Sequence, residues 1–195
     1  MKFYLKCILV VLFAHLSASQ PTNHRPLPSF ETTTLTYSEK KYIENYRFRQ
    51  GYEEAIAFIK AHEGFAGGKI YKDASGLPTI GYGHRIKPGE NFGKKISKQK
   101  AERILRADFD KALWHVEREI PPLTGYQKIA VAHFIYAKGI GNFRKSTFKK
   151  NILAGKPIEE SLKRWCYYRK NCGQRVKSHY ILKIRLWEID MYNRA

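Results

Sequence analysis

The chain has 195 residues, with 36 Lys and Arg against 17 Asp and Glu, a net charge of +19 and 43% hydrophobic residues. That is enough apolar content for a packed core, which excludes wholesale disorder, and the length leaves no room for two large domains, a TIM barrel or a propeller. Three Cys exclude a dense disulfide scaffold, and the charge predicts an anionic partner without choosing between nucleic acid, anionic lipid and bacterial envelope.

In chain order, residues 1–19 read as a secretory signal. Lys2 and Lys6 form a positive start, Cys7 to Leu16 is apolar, and Ser17-Ala18-Ser19 offers the small residues that a signal peptidase requires. The apolar stretch is too short to cross a bilayer as a stable helix, so no transmembrane helix is expected after cleavage. Removing this segment takes two Lys and no acid, leaving +17. Residues 20–50 read as a tether, with Pro21, Pro26, Pro28 and Thr32-Thr33-Thr34, followed by a short polar helix capped by Ser38 and ending about Gln50. The folded domain is expected over 51–195. It opens with a helix carrying Ala55, Ile56, Ile59 and His62 at helical spacing and stopping at Glu63-Gly64.

Residues 65–92 are rich in Gly and Pro around two β-prone runs, Lys69–Asp73 and Thr79–His84, which predicts a small hairpin lobe. The rest is helical. Ser97 caps a helix whose stripe is Ala101, Leu105, Phe109, Ala112, Leu113 and Val116, stopped by Pro121-Pro122. Thr124 and Gln127 have capping-box form before a helix closed by Gly139. Ser146 and Gly155 bracket another, Pro157 begins the next, and the last is an amphipathic helix from about Ser178 to Tyr192. The expected architecture is α+β, a small β-hairpin lobe and a larger helical lobe with a cleft between them. Export would permit a disulfide between Cys166 and Cys172, and too few further ligands are suitably spaced for a zinc site, so no metal and no cofactor are expected.

The chemistry concentrates in Glu63–His84. One carboxylate ends a helix beside apolar Ile59 and Phe65, a second follows a short strand, and Thr79 sits across the turn. Two carboxyls in unlike environments can hold different protonation states, which glycosidic cleavage requires. Spacing alone does not separate this from a solvated Glu, Asp and Thr.

The full string does. Glu63-Gly64, Tyr71-Lys72-Asp73, Gly76 and Thr79-Ile80-Gly81-Tyr82-Gly83-His84 resemble the motif of the phage-type (T4-like) lysozymes and endolysins, glycoside hydrolase family 24. The resemblance extends through Gln127, Ala130, Phe134, Gly139, Phe143, Ser146-Thr147-Phe148, Trp165 and Arg185-Leu186-Trp187-Glu188, about residues 52–192. It implies a lysozyme-like fold and hydrolysis of the β-1,4 bond between N-acetylmuramic acid and N-acetylglucosamine. Glu63 would be the general acid, Asp73 would act on a water from the opposite face, and Thr79 would position that water. This is the inverting arrangement, with carboxyl groups about 6.5–9.5 Å apart. His84 is expected to be structural, and Tyr82, Ala137 and Arg185 are the candidate substrate contacts. The chain departs from the family in having one more residue between Glu63 and Asp73, at Gly67-Gly68, in Ala137 where many endolysins have Asn, and in Ile184-Arg185 where an Arg pair is usual.

The expected protein is thus an exported, monomeric peptidoglycan hydrolase, periplasmic or secreted. Its basic helical lobe, with 15 Lys and Arg against Glu159 and Glu160 between Ile120 and Trp187, would bind anionic envelope polymers. Two other readings stay open: a lytic transglycosylase on the same bond, which needs the acid Glu but not the Asp, and a non-catalytic basic envelope binder. Nucleic-acid binding ranks last, since no recognised binding motif accompanies the charge.

Overall fold

A computed structural model describes residues 35–73, 76–120, 122–169 and 173–194. The expected signal at 1–19, the tether up to Thr34 and Cys172 lie outside the described residues. The compact unit begins at Leu35.

Helix α1 spans Tyr37–Glu63. The polar helix and the apolar helix expected on either side of Gly51 are therefore one, and the expected boundary at 50/51 falls inside it. Thr36, not Ser38, caps it: the Thr36 hydroxyl accepts from the Glu39 N–H, and the Glu39 carboxylate accepts from the Thr36 N–H. Gly51 does not interrupt the helix because its bare Cα lets α1 lie against Tyr126 and Ile129; a Cβ there would stand 3.0 Å from the Tyr126 ring.

The β lobe is an antiparallel sheet of three short strands, β1 Tyr71–Lys72, β2 Pro78–Ile80 and β3 His84–Arg85. The run expected as one strand from Thr79 to His84 is two strands folded about Gly81-Tyr82-Gly83. Both glycines have positive φ, 67° and 89°, which a residue with a side chain would adopt only under strain. Tyr71 pairs with Thr79 and Thr79 with Arg85, so these three side chains share one face of the sheet.

The helical lobe comprises α2 Lys98–Glu119, α3 Gly125–Lys138, α4 Ile140–Lys145, α5 Thr147–Leu153, α6 Glu159–Lys163 and α7 His179–Asn193. Ser97, Thr124 with Gln127 and Ser146 cap α2, α3 and α5 through their side chains where the sequence placed the helix starts, and Ser178 caps α7 in the same way. The whole predicted stripe of α2 is buried. Helix α3 is the axis of the lobe: Ile129, Ala130, Val131, Ala132 and Phe134 are fully buried among α1, α2 and α7. Two elements were not expected, α4 and the hairpin of β4 Tyr167–Arg169 with β5 Arg175–Lys177. Helix α7 is not simply amphipathic, because its buried side includes Arg185 and Glu188 beside Ile184 and Met191. Cys166 is buried at the base of the second hairpin.

Candidate active site

A cleft of about 700 Å³ is lined by Glu63, Asp73 and Thr79 on the side of the β lobe and by Lys111, Ala137 and Lys138 on the helical side. Gly64, at φ 70°, stops α1 immediately after Glu63 and leaves that carboxyl at the cleft edge, 42% exposed. The β2–β3 turn closes on it. A Cβ at Gly83 would lie 3.7 Å from Glu63 Oε2, and the Tyr136 hydroxyl donates to the Tyr82 carbonyl at 2.9 Å, fastening the turn to α3. Burial pushes the Glu63 carboxyl above its ordinary value, while the electrostatic influence of His133 and Lys138 acts against that rise.

Asp73 stands in different surroundings. Its Oδ1 accepts from the Leu77 N–H at 3.0 Å, and its Oδ2 faces the Arg85 guanidinium, with Nε 3.2 Å away. The Asp73 N–H also donates to the Leu77 carbonyl, so a tight turn holds the residue at the end of β1. A backbone N–H and a guanidinium on one carboxylate are the surroundings of an ion. Thr79 is 2% exposed, and its hydroxyl donates to the Leu77 carbonyl at 3.0 Å, which leaves the oxygen lone pairs as acceptors. Glu63, Asp73 and Thr79 are thus brought together in one cleft.

The remaining sequence candidates separate. Ala137 is on the cleft wall. Tyr82 also lines the cleft, but its ring is core and lies 5.6 Å from that of Phe65. Arg185, expected as a substrate contact, is fully buried under α3, with NH1 3.1 Å from Glu188 Oε2 and the guanidinium over the Phe134 ring. It does not reach the cleft, because its position on α7 turns it inward. His84 is buried between two carboxylates, Nδ1 2.6 Å from Asp108 and Nε2 2.9 Å from Glu90, and these raise its pKa. It ties the β lobe to α2. Sequence reasoning missed Arg85, whose signal was its place directly opposite Thr79 in a hairpin register. It also missed Lys138 and Tyr71 as charged or polar neighbours of Glu63.

A helix-terminal acid in a cleft between a small antiparallel lobe and a helical lobe defines a lysozyme-like glycosidase. Residues 60–182 match the phage lysozyme family model, and the chain belongs to that family. It is 35% identical over 135 residues to a probable prophage lysozyme of Escherichia coli K12, and 36% identical over 135 residues to a protein named SAR-endolysin from Escherichia phage 933W. Each alignment covers 62% of this chain and 76% of the relative. Among solved structures, the endolysin from Escherichia coli O157:H7 phage FAHEc1 is similar with a TM-score of 0.62 at 32% identity, over 71% of this chain and 90% of that one. The muramidase domain of SpmX from Asticaccaulis excentricus has a TM-score of 0.64 at 23% identity, over 73% and 96%, a likeness of fold alone. The protein is a glycoside hydrolase of the muramidase kind, a peptidoglycan hydrolase. No helix among the described residues is long and apolar enough to cross a membrane.

Proposed function

We propose that this enzyme cleaves the β-1,4 bond between N-acetylmuramic acid and N-acetylglucosamine by the inverting route. Glu63 gives its proton to the glycosidic oxygen. Asp73 takes a proton from a water on the opposite face of the sugar, and the Thr79 oxygen orients that water. The observation that carries this reading is the contrast between two carboxyls of one cleft: Glu63 is raised by burial, and Asp73 is met by the Leu77 N–H and Arg85. An acid and a base so differentiated at one pH are what inversion needs. The chain is exported on residues 1–19 and acts as a monomer in the periplasm or outside the cell. The Lys and Arg excess of the helical lobe holds it against anionic envelope polymers in a salt-dependent way.

The test is product analysis. Residues 20–195 should solubilise purified peptidoglycan, leaving reducing ends and no anhydro-sugar by mass spectrometry. Glu63→Gln and Asp73→Asn should each lower the rate at least about a hundredfold with the fold retained. Anhydro-sugar products, or a mild Asp73→Asn, would assign a lytic transglycosylase. Full lysis by Glu63→Gln would remove Glu63 from the chemistry.

A further inference from the structure

Behind Glu63 lies a group that the mechanism above does not use. His62 precedes the acid on the last turn of α1, and its side chain is 8% exposed. Its Nδ1 is 2.6 Å from the Phe58 carbonyl oxygen. A carbonyl can only accept, so Nδ1 carries the hydrogen and, in the neutral ring, Nε2 carries the lone pair. That Nε2 faces Glu63 Oε1 at 3.6 Å. Ring orientation is fixed on other sides as well: the His62 ring lies 4.7 Å from Phe58 and 5.5 Å from His133, and the Tyr180 hydroxyl donates to the His62 carbonyl.

We propose that His62 is the positioning residue of the general acid, accepting the Glu63 carboxyl hydrogen on Nε2 and so holding the proton in place until the glycosidic oxygen takes it. This rests on Glu63 being the acid. Burial, then the electrostatic influence of His133 and Arg185, pushes His62 down to about 4, so the ring is neutral at pH values well above that. A fixed lone pair attracts a carboxylic acid and repels a carboxylate, so this tautomer favours the protonated form of Glu63. The 3.6 Å separation is longer than a hydrogen bond, so accepting that hydrogen requires the Glu63 side chain to rotate towards Nε2, a tightening of the kind that catalytic contacts undergo when substrate fills a cleft. The other groups that bear on the pair are Tyr71 on β1, His133, Tyr136 and Lys138 on α3, and Tyr180 and Arg185 on α7. None of these presents a lone-pair nitrogen held by a carbonyl on its other side.

The experiment is kcat and KM against pH on soluble glycan chains for wild type, His62→Phe, His62→Gln and His62→Asn, with thermal unfolding of each. Loss of the acceptor should move the alkaline limb of kcat down by about half to one pH unit and lower the plateau, with KM within about twofold. Gln presents an oxygen near the place of Nε2 and should recover most of kcat. Asn reaches only the place of Nδ1 and should behave like Phe. If His62→Phe does not fold, the contrast between Gln and Asn decides. An alkaline limb unmoved in a folded His62→Phe, or Asn as active as Gln, overturns the proposal. Lysis by Glu63→Gln would instead sink the acid assignment, and it is read from a different variant.

Discussion

Glu188→Gln is the sharpest probe of the helical lobe. Three ionisable side chains meet there at zero exposure: His133 from α3, with Arg185 and Glu188 one turn apart on α7. The Glu188 Oε1 accepts from His133 Nδ1 at 2.6 Å, and Oε2 lies 3.1 Å from Arg185 NH1, outside the directed geometry of a hydrogen bond. Glutamine keeps the volume and removes the charge. It leaves the Arg185 guanidinium, which burial already pushes below its ordinary value, without its counter-charge. Removing one partner of a buried pair costs about 3–5 kcal/mol. At about 2–4 °C per kcal/mol for a domain of this size, Tm should fall by about 6–20 °C. Removing both charges, in Arg185→Met with Glu188→Gln, keeps an acceptor for His133 Nδ1, leaves no guanidinium unpaired and should cost less than Glu188→Gln alone. Circular dichroism melts with urea titrations at constant m check this. A single-variant drop under about 2 °C, or a double variant worse than the single, would refute the view that Glu188 neutralises a buried Arg185.

Other outcomes follow from the cleft and the β lobe. Lys138→Met removes a charge that acts against protonation of Glu63, so the alkaline limb of kcat should move upward, opposite to His62→Phe. The Asp108 hydrogen bond and Glu90 raise His84 above its ordinary 6.5, so its contribution to stability is fully present below that value and is lost as pH climbs through the raised one. Tm measured from pH 5 to 9 should therefore decline on the alkaline side, and His84→Gln should flatten that decline. Gly68→Ala should cost about 1–3 kcal/mol in a melt, since its Cβ would sit 2.0 Å from the Ile96 carbonyl oxygen, and an unchanged Tm would deny that close approach. Neighbouring Gly67 has a positive φ of 87° and open space around its Cα.

The parts of the protein fixed by local chemistry could be read from the chain alone. Ser97, Thr124 with Gln127 and Ser146 announce their helices because a cap is a bond between residues three apart. The stripe of α2 is legible because helical period and burial coincide. Glu63, Asp73 and Thr79 were visible as a set because they fall within one short run, the end of α1 and the β lobe that follows it. What tertiary structure decided is what depends on partners far along the chain. Gly51 continues α1 only because Tyr126 and Ile129 come to meet it. Arg85 joins Asp73 through strand register, and Arg185 is drawn from the expected substrate surface into a buried cluster by the docking of α7 on α3. The tautomer of His62 is set by a carbonyl on its own helix, yet its value to Glu63 depends on the burial that α3 and α7 impose. Residue types and caps are local quantities; burial and the balance of charge inside the core belong to the folded whole.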